Sequence, residues 1–224
     1  MKPMAREGKA AQESAGQLAD AVVIDYGMGN IGSILNVGRA AGGRLVLSDS
    51  ADEISRASKL ILPGVGAFDQ AIANLAARGL MDAIKYSVLT RRVPILGICL
   101  GMQLFTRASE EGTLPGFGWI SADTIRFKLD KEDTTRRVPH MGWNTCEPVQ
   151  RSALLDTLPP DFRFYFVHSF HVNCDDAADV LAWTVHGYRF ASAIRHDNIW
   201  GVQFHPEKSG KFGLALVRNF LASN

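Results

Sequence analysis

The stretch Val93-Pro94-Ile95-Leu96-Gly97-Ile98-Cys99-Leu100-Gly101-Met102-Gln103-Leu104 decides how this chain reads. A short apolar run enters Gly-x-Cys-x-Gly and leaves through residues that suit a helix. That is the layout of a nucleophile elbow with cysteine in place of serine. A sharp strand-to-helix turn strains the backbone at the nucleophile, and a Cβ at either neighbour would crowd it, hence the flanking glycines. Cys99 is then expected at a helix N-terminus, where the dipole and free N–H groups favour thiolate over thiol. The Leu100 N–H would point at the same place and could stabilise an oxyanion. The competing reading is a buried cysteine at an ordinary junction, and this stretch alone does not choose between the two.

Composition sets the bounds. The chain has 224 residues, 46% hydrophobic and 21% charged, enough for one α/β domain with a buried sheet. A formal net charge of +1 gives no hint of nucleic acid or an anionic membrane. Three cysteines (Cys99, Cys146, Cys174) without C-x-x-C argue against a disulfide framework or a zinc site, and a reducing, cytoplasmic setting fits them best. Residues 1–20 are polar and lack the apolar core of a signal peptide, so they read as a flexible extension before a single domain over 21–224. No cofactor or metal is called for.

Upstream of the elbow the chain repeats strand, turn and helix. Ala21–Tyr26 is an apolar, β-branched run that ends in glycines, and the spacing of Ile31, Ile34, Leu35 and Val37 predicts a helix over 31–41. A strand over 44–47, a short helix over 52–57 and a strand over 59–62 follow. Helices are expected over 69–77, 80–89 and 100–107. The pattern is that of a mostly parallel sheet flanked by helices. Gly27-x-Gly29-x-x-Gly32 fits a dinucleotide fingerprint but is discounted, because the second strand ends at Leu47-Ser48 without the acidic residue that would hold a ribose. The loop Pro63-Gly64-Val65-Gly66 lets backbone approach a ligand, or simply packs a helix entry. From Phe117 onward strands and turns dominate. Arg163–Val172 reads as one long strand, 128–137 as a charged, mobile loop and 211–221 as a closing helix, so the second half is antiparallel-rich.

Near the C-terminus stands Gln203-Phe204-His205-Pro206-Glu207-Lys208. Period two puts His205 and Glu207 on one side of an extended segment. A cysteine nucleophile needs an imidazole to take its proton, and the imidazole needs an acceptor to fix its tautomer. Cys99, His205 and Glu207 supply the three parts. His205 alone would read as a structural turn residue; beside an elbow cysteine the catalytic reading leads.

Pro63–Gly66, Gly97–Gln103 and His205-Pro206-Glu207 together resemble, in order, the three signatures of class I glutamine amidotransferases. Asp25–Asn30, Pro139–Asn144, Tyr165–Phe170 and Gln203–Ser209 are similar to the branch that forms the glutaminase subunits of imidazole glycerol phosphate synthases, in histidine biosynthesis. The resemblance implies a flavodoxin-like α/β fold and hydrolysis of L-glutamine to glutamate and ammonia. It implies Cys99, His205 and Glu207 as catalytic residues and an oxyanion hole from Leu100, Gly64 and Val65. Glutamine would be held by Gly66, Gln103, Glu111 and the backbone around His168 and Ser169.

The same resemblance implies a heterodimer with a separate (β/α)8-barrel cyclase subunit that receives the ammonia, faced by Met28, Asn30, Met141, Trp143 and Lys208. Trp143 could equally be core and Lys208 a solvated charge. Two features depart from that branch. Gly32 stands where a basic residue is expected, and Gly116–Ile120 with the charged loop after it resembles paralogues that feed ammonia to sugar-modifying enzymes of surface-polysaccharide synthesis. From other classes come a silent scaffold on the same fold, against which the intact triad argues, and a cysteine peptidase, against which Gln103 and Glu111 argue.

Overall fold

The computed structural model describes residues 19–130, 132 and 135–223. Its first half alternates strand and helix: β1 (Ala21–Ile24), α1 (Ile31–Ala40), β2 (Leu45–Ser48), α2 (Ala51–Arg56), β3 (Leu60–Leu62), α3 (Phe68–Ala77), α4 (Met81–Lys85), β4 (Ile95–Ile98) and α5 (Leu100–Gln103). The second half is largely strands: β5 (Ala122–Arg126), β6 (His140–Thr145), β7 (Glu147–Pro148), β8 (Arg163–His168), β9 (Phe170–Cys174), β10 (Val180–His186), β11 (Tyr188–His196) and β12 (Ile199–Val202), closed by α6 (Gly210–Ala222).

The central sheet runs β2-β1-β3-β4-β12-β11-β10-β7. Its first five strands pair in parallel and the rest antiparallel. With β12 as the fifth parallel strand this is the flavodoxin-like order, which aligns the carboxyl ends of β1, β3, β4 and β12 along one edge. Strands buried on both faces explain the apolar runs: every residue of β1, β3, β4 and β12 is buried. One face packs Ile54, Phe68, Leu75 and Ile84 from α2, α3 and α4. The other packs Ile34 of α1 with Phe212, Leu216 and Phe220 of α6. Each such side chain contributes about 1.5–3 kcal/mol by leaving water.

Four expectations are corrected. The run Arg163–Val172 is two strands in different sheets: β8 pairs with β6 in a two-stranded ribbon, while β9 joins β5 and β11. The chain switches at Ser169, whose carbonyl accepts the Phe127 N–H at 3.1 Å. The helix over 100–107 stops at Gln103, because the Thr106 hydroxyl takes the Gln103 carbonyl at 2.8 Å and the turn tightens. The helix over 80–89 ends at Lys85 and continues as a π-helical turn, Tyr86–Thr90. His205 to Glu207 is not extended, since Pro206–Lys208 forms a 3-10 turn. Most of the extension expected over 1–20 lies outside the described residues, as do 131, 133 and 134 of the expected mobile loop. Asp20 already belongs to the fold, pairing through backbone and carboxylate with Arg44.

Candidate active site

Three adjacent parallel strands deliver the site. β4 ends in Cys99, β3 ends in the Pro63–Gly66 loop, and β12 leads into Gln203 and His205. Cys99 has φ 54° and ψ −109°, a left-handed conformation for a residue with a Cβ. It is held there from both sides: its N–H donates to Val202 O at 2.8 Å, and its carbonyl accepts the N–H groups of Met102 and Gln103. The flanking glycines are required by contact. A Cβ on Gly101 would lie 1.9 Å from Leu62 O, and one on Gly97 would lie 2.7 Å from the Gly101 backbone. The elbow is therefore clamped against β3, the strand that leads into the Pro63–Gly66 loop. A one-turn α5 supplies free N–H groups at Leu100 but much less dipole than the helix expected from sequence.

His205 is 2% exposed, and its Nδ1 lies 2.8 Å from Glu207 Oε1. The Glu207 side chain is 1% exposed, with Oε1 held by the imidazole. The ring's other partner is the Cys99 sulfur. Burial alone would lower the His205 pKa, but hydrogen bonds and charge from Cys99 and Glu207 outweigh it and raise the value to about 10. The imidazole is thus protonated beside sulfur at neutral pH. Its backbone is pinned as well: His205 N–H donates to Tyr165 O at 2.9 Å, and the Ser209 hydroxyl donates to His205 O at 2.6 Å.

A cavity of about 380 Å³ opens on Cys99 and His205, within the range of small-molecule sites. Val65, Gly66, Leu100, Gln103, Glu111, His168, Ser169 and Lys208 are among the residues that line it. Gly64 lies behind this wall, where a Cβ would meet Leu100 and the Tyr26 hydroxyl at under 3 Å. Glu111 is exposed and already accepts the Phe68 N–H at 2.9 Å, so its carboxylate also caps α3. Met28 places its methyl beside Gly66, and Asn30 is half-buried at the start of α1. Met141 and Trp143 are 63% and 53% exposed on β6, so Trp143 is not core. They line a second cavity, of about 620 Å³, which shares Pro139 with the first. Exposed Lys208 lies over Tyr165, whose ring meets Trp143 edge-on.

Two residues beside the sulfur carried no role in the sequence reading. Tyr26 is fully buried and donates to Pro63 O at 2.6 Å; burial and the neighbouring Cys99 charge raise its pKa, so it stays a donor. Gln203 is fully buried, and its Nε2 lies 3.6 Å from Cys99 Sγ. Nothing in the sequence singled it out: residues 203 and 204 form a bend after β12, and an amide there reads as one more buried polar group. Behind the cavity a run of neutral imidazoles backs the 168–170 backbone. His168 Nδ1 lies 2.7 Å from Phe170 O, His140 Nδ1 lies 3.0 Å from His168 Nε2, and the Asn144 amide lies 3.1 Å from His140 Nε2. A carbonyl only accepts, so His168 carries its proton on Nδ1, and His140 must then do the same. Burial, joined by His186, lowers the His140 pKa to about 3; burial takes His168 well below its ordinary value too. Among the described residues no cluster of three or more His, Cys, Asp or Glu is arranged to hold a metal ion.

The glutamine amidotransferase class-I family model matches residues 22–224. Among curated relatives, the chain is 48% identical over 199 residues to imidazole glycerol phosphate synthase subunit HisH 2 of Methanococcus maripaludis, covering 89% of this chain and 97% of that one. It is 46% identical to subunit HisH 2 of Pseudomonas aeruginosa (89% and 98% covered) and 43% to subunit HisH of Bdellovibrio bacteriovorus (88% and 97%). Among solved structures, a glutamine amidotransferase superposes with TM-score 0.68 at 18% identity over 89% of this chain and 96% of that one. PurLQS of Thermotoga maritima gives 0.64 at 17% over 90% and 96%. These last two show the fold alone. The elbow cysteine, the buried imidazole–carboxylate pair and the relatives agree: the chain belongs to the class I glutamine amidotransferases, in their HisH-type branch.

Proposed function

We propose that this chain is the glutaminase subunit of an imidazole glycerol phosphate synthase, hydrolysing glutamine and passing ammonia to a (β/α)8-barrel cyclase in the cytoplasm. The observation that carries the chemistry is the buried His205–Glu207 pair at 2.8 Å, joined to Cys99 at the floor of a cavity. Cys99 attacks the side-chain amide carbon as thiolate, forming the C–S bond while the carbonyl electrons move to oxygen. The N–H of Leu100 and the Gly64–Val65 peptide receive that oxyanion. The charged imidazole of His205 gives its proton to the departing nitrogen, and the C–N bond breaks. Water then adds to the thioester, loses a proton to His205 and releases glutamate, with the electron pair returning to sulfur. Gly66, Gln103, Glu111 and the backbone at His168 and Ser169 hold the substrate. Among the described residues no helix is long and apolar enough to cross a membrane.

Support for the partner comes from exposed Met141 and Trp143, which line the cavity adjoining the site, from exposed Lys208, which lines the site itself, and from Met28, whose methyl lies beside Gly66. Glutamate release is measured for the chain alone, with the organism's barrel subunit, and with barrel plus its nucleotide substrate. Weak release alone and strong stimulation by the last pair is expected. In Cys99→Ala, glutamate release is lost while ring closure driven by added ammonium persists; loss of both would make Cys99 structural. A second reading, an acceptor in surface-sugar modification, is favoured by one feature: exposed Gly32 leaves the start of α1, beside Asn30, without a cation. Release that ignores the barrel would favour it.

A further inference from the structure

The hydrogen bonds behind Cys99 form a chain whose direction is fixed from its far end. The Phe170 carbonyl is an obligate acceptor, and the Gln103 Nε2 donates to it at 3.1 Å. The second hydrogen of the same nitrogen goes to Gln203 Oε1, also at 3.1 Å. Gln203 must therefore turn its own NH2 the other way, and there it meets Cys99 Sγ at 3.6 Å. Reversing the Gln203 amide would set NH2 against NH2 at one end and a carbonyl oxygen against sulfur lone pairs at the other. Both are repulsive in a site where Gln203 is 0% and Gln103 5% exposed. The backbone at this position is also fixed, since Gln203 N–H donates to Ser192 O of β11 at 2.9 Å.

A buried amide costs free energy unless every polar end finds a partner, so its placement against a lone thiol is an expensive way to fill space. An N–H aimed at sulfur gains most when the sulfur carries charge, because hydrogen bonds to ionised acceptors are about twice as strong as neutral ones. In each turnover the sulfur is anionic before attack and again as the thioester breaks. The titratable groups facing it are His205 beyond the end of β12, with Glu207 behind, and Tyr26 beyond the end of β1. His205 lies along the path of the proton. Gln203 is the neutral donor.

We propose that Gln203 is a further catalytic residue, whose amide N–H, oriented by Gln103, stabilises Cys99 Sγ as thiolate before attack and as the group expelled from the glutamyl thioester. In the first step the sulfur lone pair becomes the C–S bond and the N–H···S interaction weakens. In the last, the C–S electron pair returns to sulfur and the N–H receives it. Gln203 exchanges no atom or proton, so glutamine and water still give glutamate and ammonia. Both N–H groups of Gln103 are used inside the protein, which leaves its Oε1 as the atom free to accept from a substrate N–H. The proposal rests on Cys99 being the nucleophile of the glutaminase.

Two variants test it. Gln203→Met keeps the volume and removes the donor; Gln203→Glu keeps the acceptor for Gln103 and sets oxygen against sulfur. The primary readout needs neither glutamine nor partner: the rate of Cys99 alkylation by iodoacetamide across pH, mapped by mass spectrometry. Cys146 and Cys174 stay largely silent near neutral pH, since burial, first among the causes, raises their thiols to about 11 and about 12. Alkylation of Cys99 in Gln203→Met at about pH 7 is expected to fall roughly ten-fold, converging with the unaltered chain at alkaline pH. Gln203→Glu falls further. In the complex with the barrel subunit, kcat for glutamate release drops by a similar factor and KM stays within about two-fold. An alkylation profile in either folded variant that superimposes on that of the unaltered chain overturns the proposal. Should the unaltered complex release no glutamate, the glutaminase reading fails, and the alkylation profiles still decide whether Gln203 tunes the sulfur.

Discussion

Cys99, the proposed nucleophile, sits on a backbone that only glycine adopts at no cost. Its φ of 54° with ψ −109° places it among conformations costing on the order of 1–3 kcal/mol in other residues. At an ordinary position glycine is the destabilising choice relative to alanine, by about 0.4–1 kcal/mol. Here the order reverses. Cys99→Gly is expected to be more stable than Cys99→Ala by about 1 kcal/mol, with both inactive. Urea unfolding of the two side by side checks it, and an alanine variant at least as stable would remove strain from the account of the elbow. The glycines at 97 and 101 were legible in the sequence for the right reason, crowding by a Cβ. Gln203 was not, because an amide in an apolar run reads as one more buried polar group, and its partner Gln103 lies a hundred residues earlier.

The ribbon of β6 and β8 joins the surface proposed to face the partner to the wall proposed to hold glutamine. Met141 and Trp143 point outward from β6, while His140 on the same strand points inward to His168, at the end of β8. Replacing His140 by leucine strands the His168 Nε2 without a donor, which costs about 1–3 kcal/mol for a buried acceptor. The backbone at 168–170 then loses its brace. A several-fold rise in KM for glutamine with a smaller change in kcat is expected, alongside the stability loss. Unchanged KM would confine His140 to packing. The parallel half of the sheet was readable from continuous β-branched runs between glycine turns. The break at Ser169 was not: Phe164-Tyr165-Phe166-Val167 is apolar on both faces, so period two carries no phase there to reveal the slip. Helix ends failed for a related reason, since Thr106 closes α5 through a hydroxyl-to-carbonyl bond that periodicity does not encode.

The whole molecule shields most of its core histidines from protonation. His140, His168 and His171 cluster around Phe127, and burial is the first cause lowering all three. The unfolded chain takes up protons on them near pH ~6.5, the folded chain at lower pH, about 3 for His140 and well below the ordinary value for His168. Their contribution is thus complete above about pH 6.5 and is lost progressively as pH falls below it, that of His140 towards about 3. His205 runs the other way: raised to about 10, it stabilises fully below about pH 6.5 and loses that contribution as pH rises through about 10. The urea midpoint is expected to fall steadily from about pH 6.5 to about pH 4.5, and His140→Asn should flatten part of the slope. A midpoint constant across that interval would mean that these imidazoles titrate without unfolding. The left-handed residue at the end of β4 also matters on a longer clock. A cysteine codon becomes a glycine codon by one base change, so a lineage released from the need for ammonia has within immediate reach the one residue that relieves the backbone strain here. On the proposed role of Cys99, selection must oppose that drift in every generation, and descendants that no longer make ammonia would be marked by glycine at this position before the rest of the site decays.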